Sequence, residues 1–103
     1  MFEIRRTALF SDWLDGLRDR RAAARIIQRI QRVATGNLGD AKSVGGGVSE
    51  LRVDHGPGYR LYFVQRDRTV VVLLCGGDKS GQQRDIQLAK SLAENLGGER
   101  DGS

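Results

Sequence analysis

The segment GGDKSG, residues 76–81, has the composition of a turn that binds an anion. It lies between an apolar run and a helical pattern, so the first backbone N–H groups of the helix and the Lys79 ammonium group are expected to face one phosphate. The spacing differs from G-x-x-x-x-G-K-S/T, which argues against ATP or GTP binding. The alternative is that Asp78 and Lys79 only shape the start of the helix.

A second group of cations follows one side of a predicted helix between Arg20 and about Thr35. One side is apolar, with Ala23, Ile26, Ile27, Ile30, Val33 and Ala34, and the roughly opposite side carries Arg21, Arg25, Arg29 and Arg32. Arg25, Arg29 and Arg32 are predicted to bind RNA. The alternatives are docking of an acidic protein segment and a merely solvated helix face, and the formal net charge of +4 is compatible with all three.

The sequence holds one histidine and one cysteine. His55 lies in the predicted turn HGPG, and its pKa near neutrality makes it a chemically suitable acid or base, although a histidine in a loop is often only solvated. Cys75 ends the apolar run VVVLLC, which predicts a buried core residue. A single cysteine excludes an internal disulfide and a multi-cysteine zinc site, and neither a metal nor a cofactor is predicted.

The elements that position these residues follow from the periodicity of the chain. Residues 2–7 alternate between apolar and polar, as in a short strand. A helix follows, with one apolar face formed by Phe10, Trp13, Leu14 and Leu17. Asp19 is predicted to cap the second helix and Gly36 to end it, so that the two helices form a hairpin. Residues 37–47 (NLGDAKSVGGG) are predicted to be a loop.

The second half of the chain predicts three strands and a helix. The strands are residues 48–54, 59–65 and 69–75. The third is nearly continuously apolar, which predicts a central strand covered on both faces, and Gly76 and Gly77 are expected to end it. Ser80 and Gln83 have the spacing of a capping box before the final helix.

The order β-α-α-β-β-β-α indicates an α+β fold. In this fold a short N-terminal strand and a helical hairpin pack on a twisted, mainly antiparallel sheet, and a helix ends the chain. Residues 1–97 are predicted to form a single domain and residues 98–103 a flexible tail. No apolar run approaches the ~20 residues of a membrane helix and the N-terminus lacks the apolar region of a signal peptide, so a cytoplasmic location is predicted.

The motifs GNLGD, GVSELR, GPGYRLYF and LLCGGDKSGQQRDI occur in this order along the chain. They resemble the RelE/ParE toxin superfamily and, more narrowly, the HigB-like addiction-module killer proteins akin to a phage-derived Gp49-like group. The resemblance covers residues 2–96. It implies a RelE/ParE-like fold and a toxin that arrests growth until a helix-turn-helix antitoxin, encoded beside it, neutralises it. RelE-like members cut mRNA in the ribosomal A site, whereas ParE-like members inhibit DNA gyrase.

The resemblance also implies roles for individual residues. The RelE pattern Gly-Tyr-Arg places an arginine at the phosphate, which predicts Arg60 as a catalytic residue, with a surface ion pair as the alternative. Two alternating lysines of the preceding RelE strand correspond to about Glu50 and Arg52, so Arg52 keeps a positive charge and Glu50 reverses one. Glu50 is either a general base or a solvated or salt-bridged glutamate. Lys79 matches a basic RelE residue after the last core strand, and Tyr59 is a further candidate for RNA contact.

These residues favour a metal-independent endoribonuclease, an mRNA interferase, in which Arg52, Arg60 and Lys79 bind and stabilise phosphate. Glu50, and the lack of both the RelE tyrosine and a C-terminal histidine, leave two alternatives: a ParE-like gyrase inhibitor and a degenerate toxin that only binds its antitoxin. The role of Gln82 and Asp85, which recur in the killer-protein motif, stays open. The predicted partners are the antitoxin, the ribosome and mRNA, with operator DNA contacted only through the antitoxin complex and no membrane.

Overall fold

The structure is a computed structural model that describes the backbone of residues 1–102 and the side chains of residues 1–96. Within these residues the chain forms five strands and three α-helices, which confirms the predicted α+β class. In chain order they are β1 (Glu3–Arg6), α1 (Ala8–Asp15), α2 (Arg20–Ala34), β2 (Ala41–Gly45), β3 (Val48–Val53), β4 (Tyr59–Arg66), β5 (Val70–Asp78) and α3 (Gln82–Gly102), with a 3-10 turn at Lys79–Gly81.

The strands form one mainly antiparallel sheet in the order β1-β5-β4-β3-β2. β1 pairs with β5 in parallel, and all other neighbours pair antiparallel. One core cluster joins a face of the sheet to α1 and α2, and a second cluster joins the opposite face to α3. Because β5 gives Leu73 to the first cluster and Leu74 to the second, the predicted central strand covered on both faces is confirmed.

Side-chain caps fix where the first two helices begin. The Thr7 hydroxyl accepts a hydrogen bond from the backbone N–H of Phe10 at the start of α1. The Asp19 carboxylate accepts from the backbone N–H groups of Arg21 and Ala22 at the start of α2, which confirms the predicted cap. Each cap satisfies donors that the first turn of a helix leaves without a partner, so the helices start at defined residues on the sheet.

The buried face of α2 is shifted from the predicted one, and it includes Ala22, which was not predicted. Ile26, Ile30 and Val33 are buried as expected, but Ile27 is 40% exposed and Arg29 is only 9% exposed. Successive residues are rotated by about 100° around a helix, so Ile27 lies beyond one edge of the buried face and Arg29 at the other edge. Arg29 therefore belongs to the side that packs against the protein, not to the solvent-facing side.

The predicted loop over residues 37–47 is wrong in part, because Ala41–Gly45 form β2. This short edge strand pairs with β3, and Gly46 and Gly47 in the connection have φ angles of +63° and +78°. Positive φ at two consecutive turn residues matches the twist of a β-hairpin, and glycine adopts it without steric cost. The small residues that predicted a loop thus form a strand and its tight turn.

The transition from β5 to α3 also differs from the prediction. β5 continues through Gly76 and Gly77 to Asp78, so the two glycines do not end it. The Asp78 carboxylate accepts from the backbone N–H of Ser80 at 2.9 Å, and α3 begins only at Gln82. The predicted capping box that starts at Ser80 is therefore wrong, because the aspartate two residues earlier supplies the cap.

The end of the chain stays a prediction. α3 extends to Gly102, but the side chains of residues 97–102 and all of Ser103 lie outside the described part of the structure. The predicted flexible tail, residues 98–103, falls on this segment, and the predicted domain, residues 1–97, is likewise untested. Among the described residues, no helix combines the length and apolar character that crossing a membrane requires.

Candidate functional site

Two arginines lie side by side on the face of the sheet that carries α3. Arg52 in β3 is the register partner of Arg60 in β4, and directly paired residues of antiparallel strands project to the same face. Arg52 is about half exposed, whereas the side chain of Arg60 is 12% exposed. Two like charges at paired positions repel each other, so this arrangement requires an anion nearby.

The anion in the folded chain is Glu50, two residues before Arg52 on the same face of β3. Its carboxylate oxygens lie 3.9 Å from the Nε atom of Arg52 and 3.9 Å from the Nε atom of Arg60. Gln82, the first residue of α3, donates an amide hydrogen bond to the same carboxylate at 3.3 Å. Glu50 is only 1% exposed, so it is a salt-bridged and not a solvated glutamate, and the alternative role of general base stays a prediction.

Two further polar atoms in this cluster are buried without a hydrogen-bond partner among the described residues: Nε of Arg60 and the hydroxyl of Tyr62. Tyr62 is the register partner of Glu50 and is 0% exposed. Burial, followed by the charges of Glu50 and Asp85, raises the pKa of the Tyr62 phenol well above its usual range, so the hydroxyl stays protonated. Tyr62 thus lies in the core, next to the charged cluster.

Asp85, in the first turn of α3, is a second carboxylate on this face of the sheet, after Glu50. It packs over Gly77 of β5, where any Cβ atom would collide with the Asp85 carboxyl group. Partial burial raises the pKa of Asp85 above its usual value. Sequence reasoning missed the roles of Gln82 and Asp85; the available signal was a glycine inside a strand, which marks close approach of another group.

An open cavity of about 430 Å³ lies in front of the arginine pair. Its wall includes Arg52, Arg60 and Lys79, so three cations face one space. Glu50, which is 1% exposed, is not part of this wall, whereas the carboxylates Asp40 and Asp54 are. The cavity is thus lined by three cations and two carboxylates, and the buried anion that contacts both arginines lies outside its wall.

A larger cavity of about 720 Å³ continues from the first along α2. The two share Asp40, Arg52 and Asp54, and the larger one adds Arg25 and Arg32 from the helix. Together they form a continuous groove, which we call the basic groove, from the outer side of α2 to Lys79. The structure therefore brings together predicted residues from three separate parts of the sequence.

Arg29 does not join the exposed arginines of α2, which corrects its predicted role in RNA binding. Its guanidinium group donates a hydrogen bond to the backbone carbonyl of Leu38 and packs against Gly39. Desolvation lowers the pKa of Arg29 from its usual value. The side chain ties α2 to the segment before β2 and borders the larger cavity without exposing its charge to solvent.

His55 and Tyr59 are the two remaining residues predicted for the site. His55 is on the α2 side of the turn between β3 and β4, with Nε2 3.3 Å from a carboxylate oxygen of Asp19. Tyr59 is 8% exposed, and Trp13 packs against its ring at a centroid distance of 6.2 Å. Tyr59 belongs to the core and also lines the cavity in front of the arginine pair, so its contact with RNA stays a prediction.

Cys75 lies in the core as predicted and is 3% exposed. Burial raises the pKa of its thiol to about 12, so the thiolate is not formed near neutral pH. Among the residues that the structure describes, no three His, Cys, Asp or Glu side chains are placed to hold one metal ion.

Known proteins are similar to this chain over most of its length. The family model described as Phage derived protein Gp49-like (DUF891) matches residues 12–94, which include the arginine pair, Glu50 and Lys79. A Haemophilus influenzae protein (strain ATCC 51907 / DSM 11121 / KW20 / Rd), described as an uncharacterized protein, is 50% identical over 95 residues. The match covers 92% of this chain and 96% of the relative.

Proposed function

Because the chain belongs to the Gp49-like family of phage-derived proteins, a family of RelE/ParE-like toxins, we propose that it is the toxin of a type II toxin–antitoxin pair and cleaves mRNA on the ribosome. The observation that carries the nuclease proposal is the pairing of Arg52 and Arg60 in a cavity that Lys79 completes. Three cations in one open space fit a phosphodiester better than a neutral ligand.

The proposed reaction needs charge stabilisation more than any other contribution. The 2′-oxygen of a ribose attacks the adjacent phosphorus and loses its proton. The bond from phosphorus to the 5′-oxygen of the next nucleotide then breaks, and that oxygen takes up a proton. Negative charge builds up on the non-bridging oxygens, where the forked donors of Arg52 and Arg60 and the ammonium group of Lys79 stabilise it.

Glu50 is proposed to position the arginines. Its carboxylate is 1% exposed, contacts both guanidinium groups and does not border the cavity, whereas a general base must reach the 2′-hydroxyl of the substrate. Held by Glu50, the two guanidinium groups are oriented before the phosphate arrives, which lowers the reorganisation that binding and catalysis require.

The basic groove is proposed to bind the RNA strand on one side of the cleaved phosphate. Arg25 and Arg32 border the cavity that adjoins the arginine pair, so a single strand can follow cations from α2 to the reacting phosphate. The proposed partners are the ribosome with its mRNA, and a helix-turn-helix antitoxin that neutralises the toxin and alone contacts operator DNA.

Mapping of mRNA 5′ ends after brief induction in cells tests the nuclease proposal. The wild-type protein is expected to produce cuts in phase with codons in translated mRNA. Arg60→Lys keeps the charge beside Glu50 but removes the forked donors, so it is expected to lose most cuts. Arg18→Lys, an exposed residue outside the groove, is the matched control. The absence of codon-phased cuts with the wild-type protein would refute the proposal.

One observation favours a second candidate, inhibition of gyrase by protein binding. Glu50 is buried and His55 lies against α2, so neither side chain predicted for proton transfer borders the cavity at the arginine pair. The test is inhibition of DNA supercoiling by purified protein at stoichiometric concentration. If the wild-type protein and Arg60→Lys inhibit equally well, this candidate is favoured over the nuclease.

A further inference from the structure

The hydroxyl of Tyr62 is a polar atom that the proposed reaction does not yet use. The ring fills the core beneath the charged cluster, and phenylalanine would fill the same space without burying an unpartnered hydroxyl. A buried donor without a partner destabilises the folded state, so its presence asks for an explanation beyond packing.

We propose, on the basis of the proposed function, that Tyr62 is a positioning residue whose hydroxyl donates a hydrogen bond to Glu50 when a phosphodiester binds the arginine pair. Glu50 and Tyr62 are directly paired across β3 and β4 and are both buried. The donor and the acceptor are therefore neighbours before any ligand arrives.

The carboxylate of Glu50 has room for this bond. Its two arginine contacts, at 3.9 Å each, are ion pairs longer than hydrogen bonds, and within the described part of the chain its side-chain hydrogen bond comes from Gln82 at 3.3 Å. A carboxylate accepts about four hydrogen bonds, so most of its acceptor positions are open. Tyr62 can fill one of them once a shift of the carboxylate brings the two side chains within hydrogen-bond distance.

Ligand binding creates the need for this bond. When a phosphate draws the guanidinium groups of Arg52 and Arg60 toward the cavity, the charge of Glu50 is less well compensated in its buried position. Tyr62 supplies a donor without adding a charge that would compete with the phosphate. Burial keeps the phenol protonated, so it stays a donor across the neutral pH range.

Binding of a short 2′-O-methyl oligoribonucleotide, which lacks the attacking hydroxyl, tests the proposal independently of cleavage. Tyr62→Phe is expected to unfold at a higher temperature than wild type, yet to bind this probe about 10-fold more weakly, the effect of one hydrogen bond to a charged group. Phe63→Leu, the next residue on the opposite face of β4, changes core packing and is expected to leave the affinity unchanged.

A double-mutant cycle with Glu50→Gln separates positioning from a general structural effect. If Tyr62 acts through Glu50, Tyr62→Phe weakens probe binding much less in the Glu50→Gln background than in wild type. Unchanged affinity of Tyr62→Phe, equal loss in both backgrounds, or no binding of the probe to the wild-type protein would overturn the inference. If Tyr62→Phe weakens probe binding much less in the Glu50→Gln background, but the wild-type protein cuts no mRNA, then Tyr62 remains a positioning residue and only the nuclease proposal is refuted.

Discussion

The carboxyl group of Asp85 lies over Gly77, with its Cγ atom 2.9 Å from where a Cβ atom of this residue would be. On the other side of β5, the ring of Trp13 occupies the corresponding space over Gly76. Successive residues of a strand point to opposite faces, so the two glycines let groups from both layers approach the same segment of backbone. This close approach brings the start of α3, and with it Gln82, to the charged cluster.

Alanine at these glycines is expected to destabilise the fold to different extents. Gly76→Ala collides with the ring of Trp13, which is packed against Phe10 and Tyr59 and has little room to move. The free energy of unfolding is therefore expected to fall by an amount at the upper end of about 1–3 kcal/mol. Gly77→Ala meets the end of an aspartate side chain that can rotate away, so its loss is smaller. Urea denaturation measures both.

Gly81→Ala serves as the control for these variants, because its Cβ atom would be 3.2 Å from an Asp85 carboxyl oxygen and needs only a small adjustment. The loss in free energy of unfolding is expected to be largest for Gly76→Ala, smaller for Gly77→Ala and smallest for Gly81→Ala. A Gly76→Ala protein as stable as Gly81→Ala would show that this close packing does not matter for stability.

Arg29 and Arg25 provide a matched pair on α2 with opposite expected effects. Arg29→Ala removes the hydrogen bond to Leu38 and leaves a carbonyl without its donor, so the free energy of unfolding is expected to fall by about 1–3 kcal/mol. Arg25→Ala removes an exposed side chain and is expected to change stability by at most about 0.5 kcal/mol. Arg25→Ala should instead weaken RNA binding and lower its dependence on salt. Equal stability of the two variants would contradict the structural role of Arg29.

The cap of α2 predicts acid sensitivity with a definite sign. The backbone N–H of Ala22 lowers the pKa of Asp19 in the folded protein, and His55 lowers it further. A lowered pKa in the folded state stabilises the protein above the pKa of the unfolded chain, about 4, and this stabilisation is lost as the pH falls through the folded value. Thermal unfolding between about pH 5 and pH 2 measures it.

Asp19→Asn keeps a capping oxygen but does not titrate, so its stability is expected to fall less steeply with acid than that of wild type. Asp15→Asn, an exposed carboxylate near the end of α1, is the control and should follow the wild-type curve. An Asp19→Asn protein with the full wild-type acid dependence would assign the effect to other carboxylates.

The sequence predicted the elements whose apolar pattern is long or continuous. The central strand with Leu73 and Leu74 and the cap at Asp19 could be recognised because each depends on neighbouring residues only. β2 was missed because a short edge strand next to three glycines gains its hydrogen bonds from β3, and small polar residues carry no periodic signal for such pairing.

The candidate site was predictable as a set of cations but not as an arrangement. Motif resemblance pointed to Arg52, Arg60 and Lys79, which border one cavity. The burial of Glu50 depends on Gln82, 32 residues away in sequence, and the burial of Arg29 depends on the segment before β2. Contacts between distant segments decided both, so alternation along one strand or one helix could not reveal them.

Cleavage of ribosome-bound mRNA by the purified protein, with the chemistry of the new ends as the readout, is the decisive test of the proposed nuclease. The account predicts fragments with 2′,3′-cyclic phosphate and 5′-hydroxyl ends, because the 2′-oxygen is the nucleophile. It also predicts that Arg60→Lys cleaves at least about 100-fold more slowly, while Arg18→Lys cleaves like wild type. Intact mRNA with the wild-type toxin, or an Arg60→Lys protein that cleaves at the wild-type rate, would contradict the account.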